Sequence, residues 1–352
     1  MCASPEIFRK LPDNVSQVQS MKFLLTSTVI VAGLFGAATA ASAQDSCDIT
    51  ISNMNWASAE VMAAIDKIIL EEGYDCSASL LPGDTMPTFA SMTEKQQPDV
   101  APEMWVNQFR EQIDSAAEEG TVQFAAEVLT DGGEEGFWIP QYFAEAHPEI
   151  KTVADAFAHP ELFPSAEDPS KGAFHNCPAG WGCQITSANL FDAFDAEEQG
   201  FVLVDTGSAA GLDGSIAKAF QNEEPWFGYY WAPTAVLGKY PMVKLDFGVE
   251  HDPEEWQNCT TVADCEDPQK NAWTKSEVYT IVTPAVAEMG NGVTEYFNTR
   301  SWSNDVVNKL LAWKDDNQAT GEDTAYYFLE NSENVWSEWV SPEAAEKIKA
   351  AL

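Results

Sequence analysis

The chain is most constrained by its run from residue 47. An alternating segment, CDITISNMNW, gives way to SAEVMAAIDKIILEEGYDC and then to a second extended segment, CSASLLPG. In the middle segment Val61, Ile65, Ile68 and Ile69 recur at the spacing of one helix face, with Gly73 as a stop. Strand, helix and strand at this length predict two parallel strands joined by a right-handed crossover. Cys47 and Cys76 stand at the starts of the two strands, where a bridge would tie neighbours together. Similar units follow. A helix is expected over 85–95, a short strand over 98–101 and a helix over 105–120. Strands are expected at 203–204 and 227–230, flanking a helix over 214–222. Residues 277–287 read as β-rich. The segment 303–352 reads as helical, with starts near Ser303-Asn304-Asp305 and Ser341-Pro342-Glu343. The architecture is α/β, and 352 residues suffice for two ordinary domains or one large one.

The first 43 residues read as addressing rather than fold. Met21-Lys22 opens a short apolar stretch, FLLTSTVIVAGLFGAATAA, that ends in Ala41-Ser42-Ala43, the pattern of a secretory signal peptide. The stretch is too diluted by Gly, Ala, Ser and Thr for a membrane anchor. Residues 1–20 are expected to be an upstream extension absent from the mature protein, and 21–43 the signal peptide, which places the protein in the periplasm. Six cysteines remain after it: Cys47, Cys76, Cys177, Cys183, Cys259 and Cys265. An even number in an oxidising compartment reads as disulfides, with close pairings suggested and connectivity left open. The net charge of −38 repels phosphate backbones and anionic lipid heads, so neither nucleic acid nor a membrane surface is an expected partner.

Twelve tryptophans is a heavy load, and their placement carries the chemistry. Trp56 follows the first strand, Trp105 the third, Trp138 the turn at 132–136, and Trp231 ends the strand before it. Trp181 lies inside the loop CPAGWGC. In an open parallel sheet the carboxyl ends of strands face the ligand crevice. Indole faces there suit a quaternary or trimethylated ammonium, which has no N–H to donate and is read through diffuse charge and methyl surface. Trp256, Trp273, Trp302, Trp313, Trp336 and Trp339 read as packing residues.

The segment KGAFHNCPAGWGCQITSANLFDAF, with Pro-Glu-x-Trp at 102–105, Gly-Phe-Trp-Ile-Pro at 136–140, GSAAGLDGSIAKA at 207–219 and EPWFGYYWAP at 224–233, resembles the periplasmic glycine betaine-binding proteins of ABC importers. The resemblance covers nearly the whole mature chain. It implies a two-lobed periplasmic binding protein of Venus-flytrap type, whose chain crosses twice between lobes. Lobe one is expected over 44–144 plus 297–352, and lobe two over 145–296. It further implies an ammonium-binding box at Trp105, Trp181 and Trp231, with backbone donors at Gly182 and Cys183 for the anionic end. Trp56 and Trp138 are expected as extra walls. Glu103, Glu134 and Glu135 are the carboxylates expected beside the ligand. Where some members carry a ligand-contacting His, this chain has Phe109, and its only arginines past residue 43 are Arg110 and Arg300, which disfavours a guanidinium clamp.

The implied partners are a small osmolyte and an importer permease with its ATPase, and the protein is expected to act as a monomer without cofactor. Trimethylamine N-oxide is favoured over glycine betaine, because Phe109 and the three acids are poor company for a carboxylate. Two rival classes fit the sequence less well. A secreted hydrolase lacks a G-x-S-x-G elbow or H-E-x-x-H motif. A secreted sugar binder using Trp platforms would need many polar partners around the rings. The acidic runs DCEDP and AEDPSK and the pair Asp315-Asp316 lack the spacing of a calcium loop, so no metal is expected.

Overall fold

The computed structural model describes residues 47–352, so the expectations for residues 1–43 lie outside the described residues. β1 (Asp48–Met54) and β2 (Ser77–Gly83) are parallel and paired along their whole length, from Asp48 opposite Ser77 to Met54 opposite Gly83. Between them α1 (Ala57–Ile68) buries Val61, Ile65 and Ile68 against the sheet side, and one wider turn, Ile69–Gly73, closes it. The Cys47–Cys76 disulfide, one of the pairings suggested by position, sits one residue before each strand.

α2 (Thr85–Lys95) matches its expected span. β3 (Val100–Trp105) is buried at every position and runs through Trp105 rather than stopping before it. A single 3-10 turn, Val106–Gln108, then leads to α3 (Arg110–Glu118), so the helix expected from residue 105 starts five residues late. With β4 (Gln123–Glu127) and β10 (Val278–Val282) these strands form a sheet in the order β2-β1-β3-β10-β4, with β10 antiparallel to both neighbours.

The second sheet follows the same plan. β7 (Phe201–Val204), β6 (Gly172–His175) and β8 (Gly228–Ala232) are parallel, and β5 (Glu134–Pro140) adds antiparallel beside β8, with β9 (Met242–Lys244) at the edge. In both sheets, then, the fourth strand is antiparallel and comes from chain passing between the two. β5, from the stretch 44–144 expected in lobe one, lies in the second sheet, and β10, from the stretch 145–296 expected in lobe two, lies in the first. The two passages lie side by side, with Gly133 and Ser276 exchanging both backbone hydrogen bonds at 2.8 Å.

Local chemistry explains most element starts. Ser303 accepts from the Val306 amide and Ser341 from the Ala344 amide, capping the helices Asn304–Asn317 and Pro342–Ala351. Ser208 does the same for Ala209–Asn222, which begins five residues before the Gly214 expected from sequence. The second sheet is cored by phenylalanines in edge contacts, such as Phe137 with Phe174 at 4.5 Å. The C-terminal helices pack on α1, and Trp302 and Trp336 are buried among them as packing residues.

Candidate functional site

Between the carboxyl ends of the two sets of parallel strands lies a small cavity. Its walls are Trp56, Trp105, Trp181, Trp231 and Tyr229; its polar groups come from Thr85, Gln108, Glu135, Gly182 and Cys183. Trp56 is the N-cap of α1, two residues after β1, and Trp105 is the last residue of β3. Trp231 is carried by β8, and Trp181 by the loop closed by the Cys177–Cys183 disulfide. Trp181 stands edge-on to Trp56 (5.2 Å, 69°) and to Trp231 (5.0 Å, 84°), so three indole planes meet as the corner of a box. Such a corner offers aromatic faces in several directions at once, which suits a tetrahedral methylated head. Trp105 needs Gly133 behind it, where a Cβ would fall 1.9 Å from its Cζ3.

Trp181 also bridges the two sheets. Its indole N–H donates to Asn55 Oδ1 at 2.7 Å, and the Met86 amide donates to the Gly180 carbonyl at 3.2 Å. Gly182 is the N-cap and Cys183 the first residue of the helix Cys183–Ala193. Among the described residues neither amide donates to a backbone carbonyl, so both remain available where the helix end favours negative charge.

The three acids separate. Glu135 lines the cavity and is buried; it accepts from Gln108 Nε2 (2.6 Å), Tyr229 OH (2.7 Å) and Ser276 Oγ. Burial pushes its carboxyl up, opposed by the bonds from Ser276, Tyr229 and Gln108. Glu103 lies one layer back, fully buried, and does not line the cavity. Its Oε1 accepts from the indoles of Trp56 (2.8 Å) and Trp105 (2.9 Å) and from Ser58 Oγ (2.9 Å). Burial raises this carboxyl too, held back by Trp56, Trp105, Ser58 and the charge of Arg300. Glu134 is elsewhere, paired with Lys244 at 2.9 Å on the surface.

A profile of the substrate-binding domain of ABC-type glycine betaine transport systems matches residues 47–331. The chain belongs to this family. Solved relatives agree on the fold. ProX, the glycine betaine, L-proline-binding protein of Borrelia burgdorferi, is 16% identical over 86% of this chain and 99% of that one, with a TM-score of 0.67. A choline-binding protein solved with choline is 18% identical over 87% and 98% of the two chains (TM-score 0.67). Lactococcal OpuAC, closed on glycine betaine, is 16% identical over 84% and 99% (TM-score 0.62). The two-lobed periplasmic binding protein fold is thereby established, and the chain is a solute-binding subunit of a glycine betaine-type ABC importer rather than an enzyme. No helix among the described residues is long and apolar enough to cross a membrane.

In this binding protein the structure brings together Trp56, Trp105, Trp181, Gly182, Cys183, Trp231 and Glu135, and leaves out Trp138, Glu134 and Glu103. Strand alternation explains two of the omissions. Glu135 faces the cavity across from Trp231, so Glu134 and Trp138 point to the opposite face of β5, where the Trp138 indole donates to the Tyr230 carbonyl at 2.9 Å. Phe109 also points away, packing on Phe89 at 5.1 Å, and the side chain presented to the cavity from that turn is Gln108. Neither arginine reaches the site: Arg110 pairs with Asp114 and Glu277 on the surface, and Arg300 is buried against Asp66. Sequence reasoning missed Thr85, Gln108 and Tyr229. The strand-end rule could have found Thr85, two residues after β2, and period-two counting back from Trp231 could have found Tyr229.

Proposed function

We propose that the box holds the methyl groups and positive nitrogen of trimethylamine N-oxide, with glycine betaine as the weaker ligand, in an exported, monomeric protein that hands its cargo to a permease and ATPase. The reading is carried by the buried Glu135 among the aromatic walls of a small cavity without a basic side chain. The N-oxide presents one compact oxygen. A proton held between that oxygen and Glu135 makes a charge-assisted bond, and the free amides of Gly182 and Cys183 supply further donors. A betaine carboxylate brings two oxygens and a full charge toward Glu135. Leaving one oxygen unpaired in a closed cleft costs about 1–3 kcal/mol, a tenfold or greater preference for the N-oxide. The lobes would close over the ligand about the paired passages at Gly133 and Ser276, with Asn55 and Trp181 meeting across the mouth.

One observation favours a second ligand. Glu135 can accept a hydrogen bond directly from the choline hydroxyl, and the ligand then brings no carboxylate of its own. Competition calorimetry with the N-oxide, betaine and choline tests the order. Displacement of the N-oxide by betaine at lower concentration overturns the preference, and displacement by choline moves the assignment to choline.

A further inference from the structure

We propose that Glu103 is a positioning and specificity-determining residue: it fixes two walls of the box and sets an unpaired negative charge behind them, favouring ligands that are full cations. The inference rests on reading the cavity as a methylated-ammonium site.

An indole has a single polar handle, its N–H, and Trp56 and Trp105 both commit theirs to the same oxygen, Glu103 Oε1. One acceptor shared by two walls fixes the angle between them. Ser58 adds a third donor to that oxygen. Three hydrogen bonds donated to one oxygen favour the ionised carboxylate, against the burial that raises its pKa. Ser58 is the second residue of α1, so the carboxylate also sits at the positive end of a twelve-residue helix.

The charge has no direct counterion. Glu103 is fully buried, its Oε2 has no hydrogen-bond partner, and among the described residues it makes no salt bridge. Arg300, the buried cation of the same region, is engaged elsewhere. It pairs with Asp66 at 2.9 Å and donates to the Pro102 carbonyl (3.0 Å) and Thr280 Oγ1 (2.7 Å), while Tyr296 OH donates to Asp66. Asp66 offsets Arg300, so an ionised Glu103 adds a net negative charge to this buried cluster. Hydrogen bonding to an anion also enriches the indole faces that look into the cavity, strengthening their attraction for a cation. A ligand with a whole positive charge gains from both effects, whereas a zwitterion carries its own negative end into the same field.

The test compares tetramethylammonium, a permanent cation, with trimethylamine N-oxide, neutral overall, by calorimetry on the intact protein. Glu103→Gln keeps an acceptor for both indoles and removes the charge. It should weaken tetramethylammonium about tenfold and the N-oxide less than about threefold. The indole N–H resonances of Trp56 and Trp105 should move in a nitrogen–proton spectrum, and those of the distant Trp336 should not. Glu103→Asp keeps the charge and shortens the reach, so both ligands should weaken together with their ratio unchanged. An unchanged ratio in Glu103→Gln, or an altered one in Glu103→Asp, overturns the inference. If the unaltered protein binds neither ligand, the reading of the cavity itself is at fault.

Discussion

Replacing Trp181 by alanine separates recognition from stability. This side chain meets Trp56 at 5.2 Å and Trp231 at 5.0 Å and bonds to Asn55 across the mouth. A desolvated cation–π contact is worth about 2 kcal/mol, so Trp181→Ala should weaken ligand binding about thirtyfold. Each lost edge contact removes a further ~0.5–1.5 kcal/mol, from whichever state holds the box together. Trp336 is the comparison: it is fully buried in the C-terminal helices, and its indole N–H donates to the Leu329 carbonyl at 2.9 Å. Trp336→Phe deletes that bond and should cost about 1–3 kcal/mol of stability with affinity unchanged. Calorimetric titration with the N-oxide gives the affinities and thermal unfolding gives the stabilities. Equal losses of affinity in the two variants would refute the box, because both would then act through the fold.

Three further predictions follow from individual contacts. Glu135→Gln removes the charge that disfavours a carboxylate, so the preference for the N-oxide over betaine should narrow by about 1 kcal/mol or more in competition titration; a widened preference would contradict the role given to Glu135. Asp213 accepts from Tyr230 OH at 2.6 Å, and burial lifts its carboxyl to about 6. The folded state therefore holds this proton more tightly than the unfolded one. The resulting destabilisation is absent below the ordinary carboxylate range, grows as pH rises toward 6 and is complete above it. Asp213→Asn should accordingly raise the unfolding temperature at pH 7.5 and not at pH 3.5, and equal shifts at both would remove the charge from the explanation. Replacing Cys177 and Cys183 together by serine frees the loop carrying Trp181 and the Gly182 and Cys183 amides, and should weaken binding by about 1 kcal/mol through added ordering cost. Unchanged affinity would mean that the helix Cys183–Ala193 holds the loop without the disulfide.

Legibility in the sequence followed the range of the interactions involved. The first unit was readable because helix-face spacing, a stop glycine and two cysteines all act within 30 residues. The caps at Ser303 and Ser341 were readable for the same reason. The sheet memberships of β5 and β10 were not, since an antiparallel strand lent to the other sheet leaves no local mark. Three box tryptophans, Trp56, Trp105 and Trp231, could be placed by the strand-end rule and Trp181 by its loop, whereas Trp138 was misplaced because the phase of β5 depends on its pairing with β8. Glu103 was expected beside the ligand. Its function as an acceptor for Trp56 and Trp105 became visible only when residues 47 positions apart were brought together. Gln108 and Phe109 exchange roles because the chain leaves β3 through a 3-10 turn, and a residue shift of one decides which side chain meets the cavity.

The central claim is that the box reads positive charge together with methyl surface, and carbon isosteres test it most directly. Calorimetric titration should compare trimethylamine N-oxide with tert-butanol, and glycine betaine with 3,3-dimethylbutanoate, each pair differing chiefly in nitrogen against carbon at the head. The account predicts that each nitrogen compound binds at least about thirtyfold more tightly than its isostere, from about 2 kcal/mol of cation–π attraction. Equal affinity within a pair would show that the tryptophans recognise shape alone and would contradict it.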